Sequence, residues 1–174
     1  MSVLNELNKF GKSVIKQSRT NLTKKKKNAS KSLYNSIGYT AKESKNSIQI
    51  SFEMEDYGKF IDKGVKGVGG TKANGQPWKV KKVDNSLYKY TNKRPPASVF
   101  SKWAVRRGIA PRSKGGQFTS RKSLQFAIAN SVYHTGLETT NFFTKPFETA
   151  FKRLPEEIIK AYGLEVDNLL KAAL

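Results

Sequence analysis

Residues 37–53 read IGYTAKESKNSIQISFE, and this stretch sets the class of fold. Ile37, Tyr39 and Ala41 alternate with smaller or polar residues, and Ile48, Ile50 and Phe52 alternate with Gln49, Ser51 and Glu53. A period of two marks strands with one dry and one wet face. Glu43-Ser44-Lys45-Asn46 between them is turn-like. The stretch therefore predicts two antiparallel strands whose dry face needs a helix to cover it.

Helical patterns lie on both sides. Val3, Leu7, Phe10 and Val14 form one stripe, with Leu4 and Ile15 beside it and Ser2 and Glu6 as start signals. From Gln17 to Ser32 the stripe fades around Lys24-Lys25-Lys26-Lys27, and apolar residues return at Leu33 and Tyr34. The reading is a helical arm over 1–35, one helix or two in series, with a middle that nothing in the chain buries. Asp56–Lys63 predicts a short helix with Asp56 as its cap and Gly64 at its end. Residues 64–96 then form an extended loop punctuated by Gly64, Gly67, Gly69, Gly70, Gly75, Pro77, Pro95 and Pro96. A loop of that length in a compact domain tends to be functional or mobile, and Val80, Val83, Leu87, Tyr88 and Tyr90 could supply a hairpin within it. Further helices are expected over Ser98–Arg107 and Thr119–Tyr133. A C-terminal helix is expected over 145–174, striped by Phe147, Phe151, Leu154, Ile158, Tyr162, Val166, Leu169 and Leu170, and restarting or bending at Pro155. Together these predict a single α+β domain over 1–174, a small antiparallel sheet packed against long N- and C-terminal helices with a long Gly/Pro-rich loop.

The charge is lopsided. Across 174 residues, 33 Lys and Arg face 13 Asp and Glu, a net charge of +20. Such a surplus must be screened by salt, a polyanion or acidic neighbours. Lys63–Lys122 holds 16 basic residues and one acid, Asp84, whereas Glu138–Leu174 holds five basic and six acidic residues. There is no cysteine, which removes disulfides and thiol chemistry and fits synthesis in a cytoplasm. No stretch approaches the ~20 apolar residues of a membrane span, and Met1–Phe10 lacks the apolar core of a signal peptide. The expectation is a soluble protein with no membrane partner.

Catalytic groups are scarce. His134 is the one histidine, and a lone His with no partner reads as structural or surface. Glu53, Glu55, Asp56 and Asp62 precede the glycine loop and read as capping or salt-bridging groups. The loop Gly64-Val65-Lys66-Gly67-Val68-Gly69-Gly70-Thr71-Lys72 fails as a phosphate-binding P-loop, because Thr precedes Lys and no helix follows. No enzyme activity and no cofactor are expected. Binding is the better reading: Lys79, Lys81, Lys82, Lys89, Lys93 and Arg94 are interleaved with Trp78, Tyr88 and Tyr90, and Arg106, Arg107, Arg112 and Lys114 follow. Basic residues among aromatics can hold phosphates and stack bases. No zinc-finger, zipper or RNP signature is present, so nucleic-acid contact would be non-specific. The alternative places the aromatics in a core or interface and the lysines in solvent.

Two segments carry a family resemblance. Tyr57, Phe60, Ile61, Asp62 and Gly64 follow the second strand in an aromatic–small–"F-[VI]-[DE]-x-G" pattern. Ile128 to Phe143 brings a helix end at Gly136 and then Phe142 and Phe143 before the last helix. In these residues and in the order of its parts the chain resembles the tail-completion or head–tail joining (neck) proteins of tailed bacteriophages. The resemblance implies a small α+β fold and a virion role as one copy in a homo-oligomeric ring between portal and tail, made in the host bacterial cytoplasm. It implies portal, adaptor or tail proteins as neighbours, with packaged DNA as a non-specific contact. Phe142, Phe143 and Phe147 would seat the C-terminal helix, while Lys79, Lys81, Lys82, Lys89, Arg94, Arg106, Arg107 and Arg112 would face subunits or DNA. The runner-up is a stand-alone, non-specific nucleic-acid-binding protein.

Overall fold

The computed structural model describes residues 3–44, 47–113 and 115–160. The chain is α+β: among the described residues, six α-helices up to Phe151, a further helical stretch over 154–160 and a two-stranded antiparallel sheet. It sorts into two compact units. One takes Met1–Lys26, Ser32–Asp56 and Phe142–Leu174, and the other Lys27–Lys31 and Tyr57–Asn141.

In the first unit, β1 (Gly38–Ser44) pairs with β2 (Ser47–Glu53), with Tyr39 opposite Phe52, Ala41 opposite Ile50 and Ser44 opposite Ser47. That register puts all four apolar residues on one face, as the alternation requires. The face is covered by α1 (Val3–Lys24) and α6 (Thr144–Phe151). Leu7, Phe10, Val14 and Leu154 form the buried cluster, with Ala41, Ile50, Phe52, Phe143, Phe147, Ala150 and Ile158 packed against it. Phe52 meets Phe10, Phe143 and Phe147 edge to face, with centroids 5.4–6.0 Å apart, the geometry that ring quadrupoles favour. Phe142 is wholly buried, and its carbonyl accepts from Asn21 Nδ2. Gly11 is required by close approach, because a Cβ there would lie 2.5 Å from the Tyr39 ring. The Tyr39 hydroxyl reaches the Asn8 carbonyl on the same helix.

Several expectations for the arm and the tail change. The stripe on α1 does not fade at Gln17, because Ser18 and Leu22 are fully buried one and two turns beyond Val14. A small polar residue at the intermediate position hid the continuation. The helix stops at Lys24, and α2 (Ser32–Ser36) follows a break in which Lys26 and Lys31 have positive φ. The polar middle is also held by this chain: Arg19 donates to the carbonyls of Tyr34 and Ile37 at 2.9 and 3.0 Å. Past α6 the chain turns at 152–153, and helix resumes over 154–160, with Pro155 in its first turn. Tyr162, Val166, Leu169 and Leu170 lie outside the described residues.

In the second unit, α3 (Gly58–Lys63) begins at Tyr57 without a side-chain cap, so Asp56 does not cap it. Gly64, at φ 76°, ends it. A 3-10 turn over Ala97–Val99 leads into α4 (Phe100–Arg106), and α5 (Arg121–Thr135) starts at Ser120, whose hydroxyl accepts from the Ser123 N–H. α5 buries little: Ala129 is its buried residue, and Phe126 is largely exposed. No helix of the described residues is long and apolar enough to cross a membrane.

Candidate functional site

The long loop after Gly64 is not a loose excursion, and the hairpin expected over Val80–Tyr90 does not form; a tight antiparallel turn instead pairs Thr71 with Pro77. The loop's order comes from two helix ends that need donors. The last carbonyls of an α-helix have no partners within the helix. At the end of α3 Phe60 O takes the Gly64 amide, and the carbonyls of Ile61, Asp62 and Lys63 are supplied from outside. Thr140 Oγ1 donates to Ile61 O at 2.6 Å, the Thr140 and Asn141 amides donate to Asp62 O, and Thr139 Oγ1 donates to Lys63 O at 2.8 Å. Ser86 Oγ then donates to Gly64 O at 2.7 Å. At the end of α5 the roles reverse. The amides of Val68 and Gly69 donate to Tyr133 O and His134 O, and that of Lys81 donates to Thr135 O.

Between these ends, Val65 and Leu137 exchange both backbone hydrogen bonds at 2.9 and 2.8 Å. Gly67 and Gly136 allow the crossing. A Cβ on Gly67 would lie 2.3 Å from His134 O, and one on Gly136 would lie 2.5 Å from Val65 O. Tyr88 and Tyr90 sit on either side of a bridge between Lys66 and Lys89, with the Lys66 amide donating to Tyr88 O and the Tyr90 amide to Lys66 O. The strands expected around Val80–Tyr90 are replaced by these isolated bridges, because the backbone groups pair with α5 and with residue 66 rather than with each other.

This framework sets a row of rings and cations along the loop. Trp78 stacks on His134 with centroids 5.0 Å apart and an interplanar angle of 2°. His134 Nδ1 lies 2.6 Å from the Gly69 carbonyl. A carbonyl can only accept, so Nδ1 carries the proton. This bond ties His134 to the glycine loop. Tyr133 packs edge-on to His134, Tyr90 lies 5.9 Å from Tyr133, and the Tyr133 hydroxyl donates to Thr91 O. Burial pushes the Tyr90 phenol above its ordinary value, keeping it neutral. Lys72 lies 5.3 Å from the Trp78 ring centre and Arg94 5.7 Å from that of Tyr133, within cation–π range.

The residues singled out from sequence fall into three groups. Phe60 packs against Tyr88 at 4.7 Å, Asp62 is buried, Tyr57 is partly exposed, and Ile61 and Gly64 offer the carbonyls just described. Lys79, Lys81, Lys82, Lys89 and Arg94 are exposed, with Lys82 beside Asp84 at 3.6 Å in open solvent, a pair worth little. Arg106, Arg107 and Arg112 are also exposed. Arg107 lies over Trp103 and Arg112 over Phe118, which is 72% exposed. Lys114 lies outside the described residues. Phe142, Phe143 and Phe147 belong to the first unit and its core. Sequence reading missed Thr139, Thr140 and Ser86; for the two threonines, hydroxyls just after the helix-ending Gly136 were the available signal.

Glu53, Glu55, Asp56 and Asp62 do not converge. Among the described residues no group of three or more His, Asp or Glu could hold a metal ion. Glu55 instead accepts from Ser32 Oγ, and its amide donates to Ser36 Oγ. No protein-family model matches the sequence, and no curated protein or solved structure is detectably similar to it.

Proposed function

We propose that this chain is a structural subunit of a ring in the neck of a tailed bacteriophage, completing the tail where it joins the portal. One observation carries the reading. The two segments that resemble neck proteins, residues 57–64 and 128–143, are hydrogen-bonded to one another, Thr139, Thr140 and Asn141 donating to consecutive carbonyls at the end of α3. They act as one structural element, which is what a family motif spread over two distant segments demands. The work of such a subunit is adhesion: exposed Val99, Val105, Phe118 and Phe126 are surfaces for neighbouring copies and for portal, adaptor or tail proteins. No chemistry is assigned to it and no cofactor is needed. The +20 charge suits a ring that borders packaged DNA or acidic partners. The test is mass spectrometry of purified particles of the encoding phage, with copy number measured against the portal protein. The expected result is a low, fixed number of copies per particle; absence from particles sinks the reading.

A second reading, a stand-alone non-specific nucleic-acid-binding protein, is favoured by the row Lys72, Trp78, His134, Tyr133 and Arg94. It is distinguished by tight DNA binding by the isolated chain without any association with virion proteins.

A further inference from the structure

A groove of about 740 Å³ in the first unit lies apart from every residue discussed as a site, and its lining is chemically one-sided. Lys12, Lys16, Arg19, Thr20, Thr23 and Lys24 of α1 form one wall, and Tyr34, Ile37, Gly38 and Tyr39 form the other. Residues 12, 16, 20 and 24 recur every four positions, so each stands about one turn beyond the last and about 40° further round, and the row winds along the groove that they line. The lining contains four cations and no carboxylate. Arg19 is committed to the Tyr34 and Ile37 carbonyls and lies 5.1 Å from the centre of the Tyr34 ring. It shapes the groove and fixes its far wall. Among the described residues Lys12, Lys16 and Lys24 form no ion pair. Like charges four apart on a helix repel one another, and among the described residues no carboxylate pairs with these three.

We propose that this groove binds the phosphodiester backbone of nucleic acid, independently of sequence. From residue 12 to residue 24 the helix rises about 18 Å. Along one strand of a duplex that length carries about five phosphates at roughly 3.4 Å of axis each. Three ammonium groups strung along such a face match a linear polyanion better than a single small anion, which would be held at one point. The lining has no Asn, Gln, Asp or Glu side chain to read base edges, so its contacts position the backbone. An acidic protein segment is the competing occupant. A phosphate backbone is favoured because the ligand charges must run evenly along the whole row.

The inference stands apart from the neck reading: absence from particles would end that reading and leave the groove's chemistry untouched. The experiment measures binding to a random-sequence DNA duplex of about 25 base pairs as a function of salt. The triple variant Lys12→Gln, Lys16→Gln, Lys24→Gln is compared with an equal-charge loop control, Lys79→Gln, Lys81→Gln, Lys82→Gln. Gln and Lys have similar helix propensity, so helicity by circular dichroism should be unchanged. The groove variant is expected to lose about two to three units of log–log salt slope and at least about tenfold in affinity at 0.1 M salt. The loop control should lose no more than about one unit. In the unmodified protein, DNA should protect Lys12, Lys16 and Lys24 from acetylation, read by mass spectrometry, a measurement that needs no variant. Equal losses in both variants would reduce the effect to net charge and overturn the proposal. So would unprotected groove lysines, or a groove variant that changes self-association in sedimentation while binding DNA normally.

Discussion

At Thr139 one hydroxyl joins three parts of the second unit. Its oxygen accepts from the Asp84 amide at 2.9 Å while its proton goes to the Lys63 carbonyl at 2.8 Å. Thr139 is buried, whereas Asp84 and Lys63 are exposed residues and the two bonds are half-buried. Thr139→Val keeps the shape and leaves the Asp84 amide and the Lys63 carbonyl without this partner, which costs about 1–2 kcal/mol. Thr139→Ser keeps the hydroxyl and should lose less than half as much. Urea unfolding of the two variants checks this; equal midpoints for Val and Ser would show that the hydroxyl carries none of the strap. Ser18 is the opposite case, a buried hydroxyl on α1 with no partner. Its replacement by Ala removes an unsatisfied group and improves helix propensity, so stability should rise by about 0.5–1 kcal/mol in the same assay.

Among the elements, the sheet and its covering helices depend on Phe52 more than on any cap. It touches rings from α1, β1 and both residues 143 and 147. Phe52→Ala should cost about 3–5 kcal/mol by lost burial and a cavity. Phe126→Ser on the exposed side of α5 should change stability by less than about 0.5 kcal/mol. Comparable effects at the two positions, measured by chemical unfolding, would overturn this assignment of core and surface. The helices α1 and α6 were legible because each presents an apolar stripe to the core of the first unit. What was not legible was where the stripe on α1 ended. Ser18 occupies a core position, and only the packing at Leu22 reveals that the row continues.

For the molecule as a whole, electrostatics is the dominant fact. A net charge of +20 on a 19.5 kDa chain makes the folded form repel itself, and salt screens that repulsion. The thermal midpoint should therefore rise by several degrees as sodium chloride goes from about 0.02 M to about 0.3 M. A midpoint that falls over that range would mean that attractive pairs outweigh the surplus. The charge asymmetry was fully visible in sequence, because it requires only counting. Which cations share a groove was not, since Lys12, Lys16 and Lys24 look like an ordinary solvated helix face until Tyr34 and Tyr39 are placed opposite them.

By itself the sequence determined the α+β class, the hairpin and its dry face, the amphipathic helices flanking it, and the concentration of charge between Lys63 and Lys122. Each of these follows from periodicity or composition over a few neighbouring residues, and local physics is enough to write them. The tertiary structure alone decided that the glycine loop is strapped rather than free, that Trp78 lies on His134, and that hydroxyls from residues 139 and 140 close the end of α3. Those bonds join residues 65 to 79 positions apart. A hydroxyl or a glycine carries no periodic signal of its distant partner, and the helix-end carbonyls it serves exist only once the chain has folded.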